Sequence, residues 1–175
     1  MAQISVRPFL RHFRAEASSE VRVFRHGRVA RAGRGLSFWF DPGRVSIAEI
    51  PLADRELTFM VRSQSADYQD VAAQGTILWS VKDVAKLADR VDFSVDLKTG
   101  QHLGKPEDHI SKVLTGLVRE FADSHVKQLG VRALLEAGLA PLQARIMAGL
   151  AAEATLAQMG IGVVAVRLAA LSPSS

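Results

Sequence analysis

The side chains best suited to chemistry in this sequence are cations and large apolar groups close to its beginning. Guanidinium groups bind phosphate and carboxylate oxygens through paired hydrogen bonds. Aromatic and aliphatic groups beside them can enter the boundary between lipid headgroups and acyl chains. These residue types predict the binding of an anionic surface, and the candidates near the start are Arg7, Phe9, Leu10, Arg11, Phe13 and Arg14.

The positive charge of the chain is concentrated in its first 34 residues. Eight arginines occur there together with two glutamates, which gives this segment a net charge of +6. The remaining 141 residues contain 14 basic and 16 acidic groups, so the overall charge of +4 comes from the first fifth of the chain. Such asymmetry predicts an anionic partner, either phospholipid or nucleic acid.

Residues of the kinds used in catalysis and metal binding do not form a known motif. The five histidines have no metal-ligand spacing, and no phosphate-binding, zinc-protease or serine-hydrolase motif occurs. Gly33-Arg34-Gly35 precedes a strand-like run, whereas a dinucleotide-binding glycine motif opens a helix. Asp67 and Asp70 lie in a polar segment typical of a surface loop. We therefore expect a protein that is not an enzyme and uses no cofactor or metal.

Composition gives the broad class and the compartment. At 175 residues and 48% hydrophobic content, the chain is able to bury the core of one domain. The absence of cysteine fits a reducing compartment. No apolar run approaches the ~20 residues that span a bilayer, and no cleavable signal peptide is visible. We expect a cytoplasmic protein that is peripheral on the inner face of a membrane.

The element predicted to position the first candidates is an amphipathic helix over residues 6–17. Apolar residues recur there at helical spacing, with arginines on the opposite side. One interpretation is an anchor lying in the membrane interface. The other is a helix that packs Phe9 and Phe13 on its own domain.

Between about residues 19 and 81 the pattern predicts antiparallel strands. Residues 21–25 and 29–31 flank the turn-forming His26-Gly27-Arg28 and predict a hairpin. Alternation over residues 36–40 places Trp39 opposite Phe38 and Phe40. Trp39 is therefore expected to be exposed, or to contact a membrane or a neighbouring subunit. A strand ending near Val81 contains Gly75 as a candidate bulge.

After Lys82 the sequence is mainly helical. Asp83 is a candidate N-cap of a short helix through about Arg90, and Pro106 begins a longer one. A brief turn over residues 131–137 leads to a helix that begins at Gly138 and ends at Gly160, before a last strand over residues 161–171. The clearest periodicity belongs to the longer helix, in Ile110, Val113, Leu114, Leu117, Val118 and Phe121.

The order of these elements resembles the band 7 (SPFH, stomatin–prohibitin–flotillin-like) family. Residues 27–42 are similar to its early hairpin followed by Gly-x-Gly-Leu-x-Phe and Pro. Residues 51–57 resemble its "V-D-x-R" strand, and residues 67–83 its "V-x-Y-x-V-x-D" strand and helix cap. The helix over 110–121 has the expected position, and residues 159–168 are similar to the closing "G-I-x-V-x-x-V-x-I" strand.

The resemblance implies an α+β fold without catalytic function. An antiparallel sheet from the N-terminal half would be packed by helices of the C-terminal half, with a closing strand at the end. It also implies homo-oligomerisation and a membrane anchor before the domain, for which the basic segment 1–17 is the candidate. The domain itself would cover residues 18–172. Residues 173–175 would then be a tail, at the point where family members usually begin a coiled coil.

Two functions follow as expectations. The first is a non-enzymatic scaffold that homo-oligomerises at an anionic membrane surface and organises lipids or partner proteins, with Trp39 added to the six N-terminal candidates. The alternative is a nucleic-acid-binding module that uses the same arginines. The apolar side of the N-terminal segment favours the membrane, because binding to phosphates does not require it.

Overall fold

The computed structural model describes residues 2–6 and 10–173. Its strands in chain order are β1 (Gln3–Val6), β2 (Arg11–Arg14), β3 (Ser19–Arg25), β4 (Arg28–Arg34), β5 (Ser37–Phe40), β6 (Ser46–Pro51), β7 (Arg55–Gln64), β8 (Asp70–Val81) and β9 (Ile161–Pro173). Its helices, all between β8 and β9, are α1 (Val84–Ala88), α2 (Pro106–Val126), α3 (Val131–Ala137), α4 (Leu139–Ala152) and α5 (Ala154–Met159).

The predicted α+β class is confirmed, with antiparallel pairing throughout the described strands and a strand that closes the chain. The strands form three sheets of three strands each, in the orders β1-β2-β5, β4-β3-β6 and β7-β8-β9. The chain divides into two compact units, Met1–Ala53 with Asp83–Asp108, and Asp54–Lys82 with His109–Ser175. The boundaries inferred from sequence at residues 17 and 172 stay a prediction.

The first unit contains strands β1 to β6 and the short helix α1. Alternate residues of a strand share one face, and in β3 the alternate residues Ser19, Val21 and Val23 are buried, whereas six of the seven residues of the outer strand β4 are exposed. Asp83 caps α1 by accepting a hydrogen bond from the N–H of Lys86, as predicted. The core brings together buried residues of the first two sheets and a neighbouring loop, namely Ala2, Phe13, Ala15, Val21, Val23, Phe40, Val45, Ile47 and Val95.

The predicted hairpin around Gly27 is confirmed as β3 and β4. Arg25 pairs with Arg28, which leaves His26 and Gly27 as a two-residue turn. Their φ angles are 49° and 74°, and both lie in the left-handed region that a turn of this handedness requires. Glycine adopts this conformation without steric cost, so the local sequence determines where the hairpin turns.

In the second unit, helix α4 packs on β9 of the third sheet. The α4 side chains Leu142, Ile146 and Leu150 are buried. The bulge predicted at Gly75 is confirmed by a register shift between Gln74 and Gly75 against β9. A Cβ atom on Gly75 would lie 2.3 Å from the carbonyl oxygen of Arg167, so a side chain cannot fit there.

The structure corrects two details of the helical region. The segment predicted as a brief turn over residues 131–137 is helix α3. At the start of this helix, the N–H of Val131 donates a hydrogen bond to the Asp67 carboxylate. The single helix predicted between Gly138 and Gly160 is interrupted at Glu153. The backbone of Glu153 is extended, and its carboxylate accepts from the N–H of Thr155 to begin α5.

The helix predicted over residues 6–17 is wrong, because the described part of this segment is extended. β2 pairs with β1 on one side and with β5 on the other. Phe13 lies opposite Phe38 and is fully buried, with 0% of its surface exposed. The apolar residues Val6, Phe9, Leu10, Phe13 and Ala17 fit a helical period better than period 2, so local periodicity alone favours the wrong element here. Pairing with distant strands decides between the two.

Helix α2 has the most regular burial pattern in the chain. Every fourth residue along one stripe has at most 1% of its surface exposed, whereas Lys112 and Arg119 point to solvent. Phe121 lies against Gly149 of α4, where a Cβ atom would come within 2.6 Å of its ring. The buried stripe consists of Ile110, Leu114, Val118, Ala122 and Val126.

We predict that Leu114→Asp unfolds the protein, while Lys112→Ala and Arg119→Ala are nearly silent. An aspartate in the buried stripe loses about 2–5 kcal/mol of packing and also carries a desolvation penalty, against a total stability of about 5–15 kcal/mol. The two exposed substitutions should each cost within about 0.5 kcal/mol. Thermal melts measure all three. A Leu114→Asp protein that melts like the parent would show that this stripe is not part of a core.

A second prediction concerns the Asp67 carboxylate at the start of α3. A hydrogen bond from the Ser65 hydroxyl, followed by one from the N–H of Val131, lowers the pKa of Asp67 from its usual value of 3.8. Its stabilising contribution is therefore present above that usual value and is lost as the pH falls through the lower pKa of the folded state. Asp67→Asn should lower the melting temperature more at about pH 7 than at about pH 3. An equal loss at both pH values would contradict this role.

Candidate functional site

The outer face of the β1-β2-β5 sheet carries Trp39. In the register of β2 and β5, Trp39 pairs with His12, while the neighbouring pair of Phe13 and Phe38 faces the core. Trp39 is 48% exposed, so the predicted exposure is confirmed. Its ring lies 5.0 Å from that of His12, centre to centre, at an angle of 57°. This contact holds a large aromatic group at the surface of the first unit.

Polar and cationic groups surround Trp39 on the same face. His12 Nε2 and Ser37 Oγ are 2.9 Å apart and share a hydrogen bond. Arg14 pairs with Ser37 in the register, and its side chain is exposed. The face therefore combines an exposed indole ring with groups that can hydrogen-bond a phosphate or carboxylate oxygen.

The structure describes five of the seven site residues predicted from sequence. Leu10 is exposed and belongs to the surface, like Arg14 and Trp39. Phe13 is part of the core, which corrects its expected place on a lipid-facing side. Arg11 donates to the carbonyl oxygen of Leu97 over 2.7 Å, so its guanidinium also holds a loop in place. Arg7 and Phe9 lie outside the described residues.

The turns of the first unit bring several strand ends to one place. β2 begins at Arg11, which pairs with Phe40 at the end of β5. From Phe40 the chain turns within five residues into Ser46, the start of β6. Ser46 in turn pairs with Phe24, near the end of β3. The start of β2, the end of β5 and the tip of the β3–β4 hairpin therefore lie at the same end of this unit.

This end has basic and apolar residues that the sequence analysis did not single out. Arg25 and Arg28 face each other across the hairpin turn, and both are exposed. Val29 is 49% exposed and pairs with Phe24. A pair of arginines on either side of a His-Gly turn is the local signal that could have identified them. We call the following set the basic–apolar end: Leu10, Arg25, Arg28, Val29 and Trp39.

Acidic groups near the basic–apolar end are held by partners of their own. Asp41 forms an ion pair with Arg44 at 3.3 Å. The N–H groups of Lys98 and Thr99 lower the pKa of Asp96, and the charges of Lys98 and Arg11 add to this effect. Ion pairs among the described residues engage neither Arg25 nor Arg28. The two arginines at the hairpin tip are therefore available to an anionic partner.

Residues 2–6 and 10–173 lack two further features, a cluster of metal-binding side chains and a helix able to cross a membrane. Within these ranges, no group of three or more His, Cys, Asp or Glu side chains has a geometry that could hold a metal ion. The helices of the same part of the chain are too short or too polar for any to cross a bilayer.

Comparison with models of protein families gives a match. The model of the SPFH domain / Band 7 family matches residues 15–175. No curated protein matches the chain. The match includes strands β3 to β9 and all five helices described above, and it begins just after β2.

We predict that Phe13 is needed for folding and that Leu10 is not. Phe13→Ala removes a fully buried ring and should cost about 3–5 kcal/mol of unfolding free energy. Leu10→Ser changes an exposed side chain and should cost within about 0.5 kcal/mol. Chemical denaturation of both variants gives the comparison. If Phe13→Ala were as stable as Leu10→Ser, the strand arrangement of residues 11–14 would be refuted.

Proposed function

Since the chain belongs to the SPFH domain / Band 7 family, we propose that it is a non-enzymatic scaffold that homo-oligomerises at an anionic membrane surface. Members of this family are in general membrane-associated and oligomeric, and they are generally not enzymes. In this proposal the protein lies peripherally on the cytoplasmic inner face of a membrane and organises lipids or partner proteins there. The observation that carries it is the basic–apolar end of the first unit.

The basic–apolar end has the two components that interfacial binding requires. Trp39 has an amphipathic ring of the kind that is enriched at the headgroup level of membranes. Leu10 and Val29 add apolar area, worth ~25 cal/mol for each Å² that leaves water. Arg25 and Arg28 supply charge, and each arginine near an anionic surface contributes about 1 kcal/mol. Arg25, Arg28, Val29 and Trp39 sit on folded strands, and Leu10 directly precedes β2, so little backbone conformational entropy is lost when they bind.

One copy of this surface should bind membranes weakly. Three apolar side chains and two arginines provide a few kcal/mol, roughly the strength of a single reversible lipid anchor. Oligomerisation places several copies on the same membrane, and the later contacts then form at a high effective concentration. A scaffold is therefore able to use an anchor that would be too weak for a monomer.

Nucleic acid is the alternative partner for the same arginines. The outer face around Trp39 and Leu10 favours lipid, because a phosphate backbone gains nothing from an exposed Leu side chain. The negative net charge of residues 35–175 also opposes binding of a long polyanion. The two partners differ in a simple experiment, since a duplex has phosphates but no acyl boundary.

We expect the full chain to float with vesicles of phosphatidylcholine and phosphatidylserine, to bind pure phosphatidylcholine weakly, and not to shift duplex DNA on a gel. Arg25→Gln plus Arg28→Gln should weaken binding to the anionic vesicles about thirtyfold, the equivalent of about 2 kcal/mol. Leu10→Ser plus Trp39→Ser should weaken binding to both kinds of vesicle.

The matched control is Lys112→Gln plus Arg119→Gln, which removes the same charge from the exposed side of α2 and should leave flotation unchanged. Equal losses in the control and in the hairpin variant would mean that net charge alone drives binding. Binding to duplex DNA on the gel at protein concentrations too low for flotation with anionic vesicles would favour the nucleic-acid alternative. Either result would overturn the proposed surface.

A further inference from the structure

Strand β4 forms an open edge of the first unit. In the β4-β3-β6 sheet it is an outer strand, and β3 is its one partner among the described strands. Six of its seven residues are exposed, and Gly33, which lies beside Leu36, is half-buried. About half of the N–H and C=O groups of an edge strand point away from the sheet. Among the described strands, none pairs with the backbone donors and acceptors on the outer side of β4.

Side chains on β4 leave room for another strand. Ala30, Ala32 and Gly33 are small, and the strand contains no proline. A register shift opposite Val23 and Phe24 disturbs the ladder near the hairpin tip. Beyond it, the stretch 31–34 pairs regularly with β3. An additional strand at the usual spacing of ~4.8 Å can approach along this stretch without displacing a bulky group.

The positive charge of the β3 and β4 side chains favours an added strand that is negatively charged. Arg28, Arg31 and Arg34 lie on β4, and Arg22 and Arg25 are close by on β3. Arg31 is already placed over the ring of Phe38, with its guanidinium carbon 5.5 Å from the ring centre. The one carboxylate on the two strands belongs to Glu20, whose Oε1 is 3.3 Å from Arg22 Nε.

A second copy of β4 is a poor partner for this edge, since pairing would bring together two strands that each carry three arginines and no carboxylate. Like charges that face each other across strands are destabilising, whereas opposite charges stabilise the pair. Arg31 and Arg34 are three residues apart and lie on opposite faces of β4, so a segment with carboxylates on both of its faces has the complementary charge. Such a segment would also form the backbone hydrogen bonds that the edge leaves open.

We propose that β4 binds an extended acidic segment of a partner protein as an added strand. The backbone of the stretch 31–34 pairs with the segment, and Arg31 and Arg34 bind its carboxylates. This interaction goes beyond the membrane role, and it uses a part of the hairpin other than the turn that carries Arg25 and Arg28. A scaffold at a membrane surface would in this way recruit partners through their acidic extended regions.

The test uses a fluorescein-labelled glutamate–valine peptide that repeats Glu-Val-Val, which places carboxylates on both faces of an extended strand, with fluorescence anisotropy as the readout. The parent protein should bind it, and should bind a lysine–valine peptide at least about tenfold more weakly, since the basic edge repels it. The decisive probe is the glutamate–valine peptide with every backbone amide N-methylated. It keeps all charges but cannot donate backbone hydrogen bonds, so strand addition predicts a loss of at least about tenfold.

Protein variants locate the site. Arg31→Gln plus Arg34→Gln should weaken peptide binding at least about tenfold and leave flotation with anionic vesicles near the parent level. Lys112→Gln plus Arg119→Gln should bind the peptide like the parent. Equal binding of the methylated and unmethylated peptides would overturn strand addition, even if the double arginine variant failed to fold. If the parent protein did not bind the peptide and the Arg31→Gln plus Arg34→Gln variant no longer floated with anionic vesicles, the edge would be assigned to lipid. That result would also overturn the proposal.

Discussion

The pairing of β2 with β5 is the interaction on which the candidate surface depends. It buries Phe13 against Phe38 in the core of the first unit and at the same time turns His12 and Trp39 outwards. Because side chains alternate across a strand, the same four pairs of residues create both the core and the exposed face. A shift of one residue would exchange the two faces, so burial of Phe13 fixes the position of Trp39.

Short turns extend this constraint to the rest of the basic–apolar end. The connection from Phe40 to Ser46 joins the end of β5 to the start of β6. Ser46 pairs with Phe24 of β3, close to the hairpin turn. Arg25 and Arg28 are then held within one unit together with Leu10 and Trp39. The β3–β4 hairpin therefore has two proposed roles. Its turn contributes charge to the membrane surface, and its outer strand β4 is the edge that binds an acidic segment.

Features that depend on neighbouring residues could be predicted from the sequence, and features that depend on distant pairing could not. The hairpin at Gly27, the bulge at Gly75 and the helix after Pro106 follow from a turn, a glycine and a local period. The segment 6–17 has a helical period in its sequence, and the strand β5 whose pairing overrides that local signal begins as far along the chain as Ser37. The family resemblance was confirmed because it rests on the order of elements, which one wrong element does not alter.

The most direct test of the central claim is the fluorescence of Trp39 on membranes. The chain has two tryptophans, and Trp79 is buried. In a Trp79→Phe protein the emission therefore reports on Trp39 alone. We expect anionic vesicles to shift this emission to shorter wavelength and brominated lipids to quench it, while a Trp39→Phe protein, which keeps Trp79, shows neither effect. Flotation of the Trp79→Phe protein with an unchanged and unquenched spectrum would contradict the account, because the membrane would then be bound without Trp39.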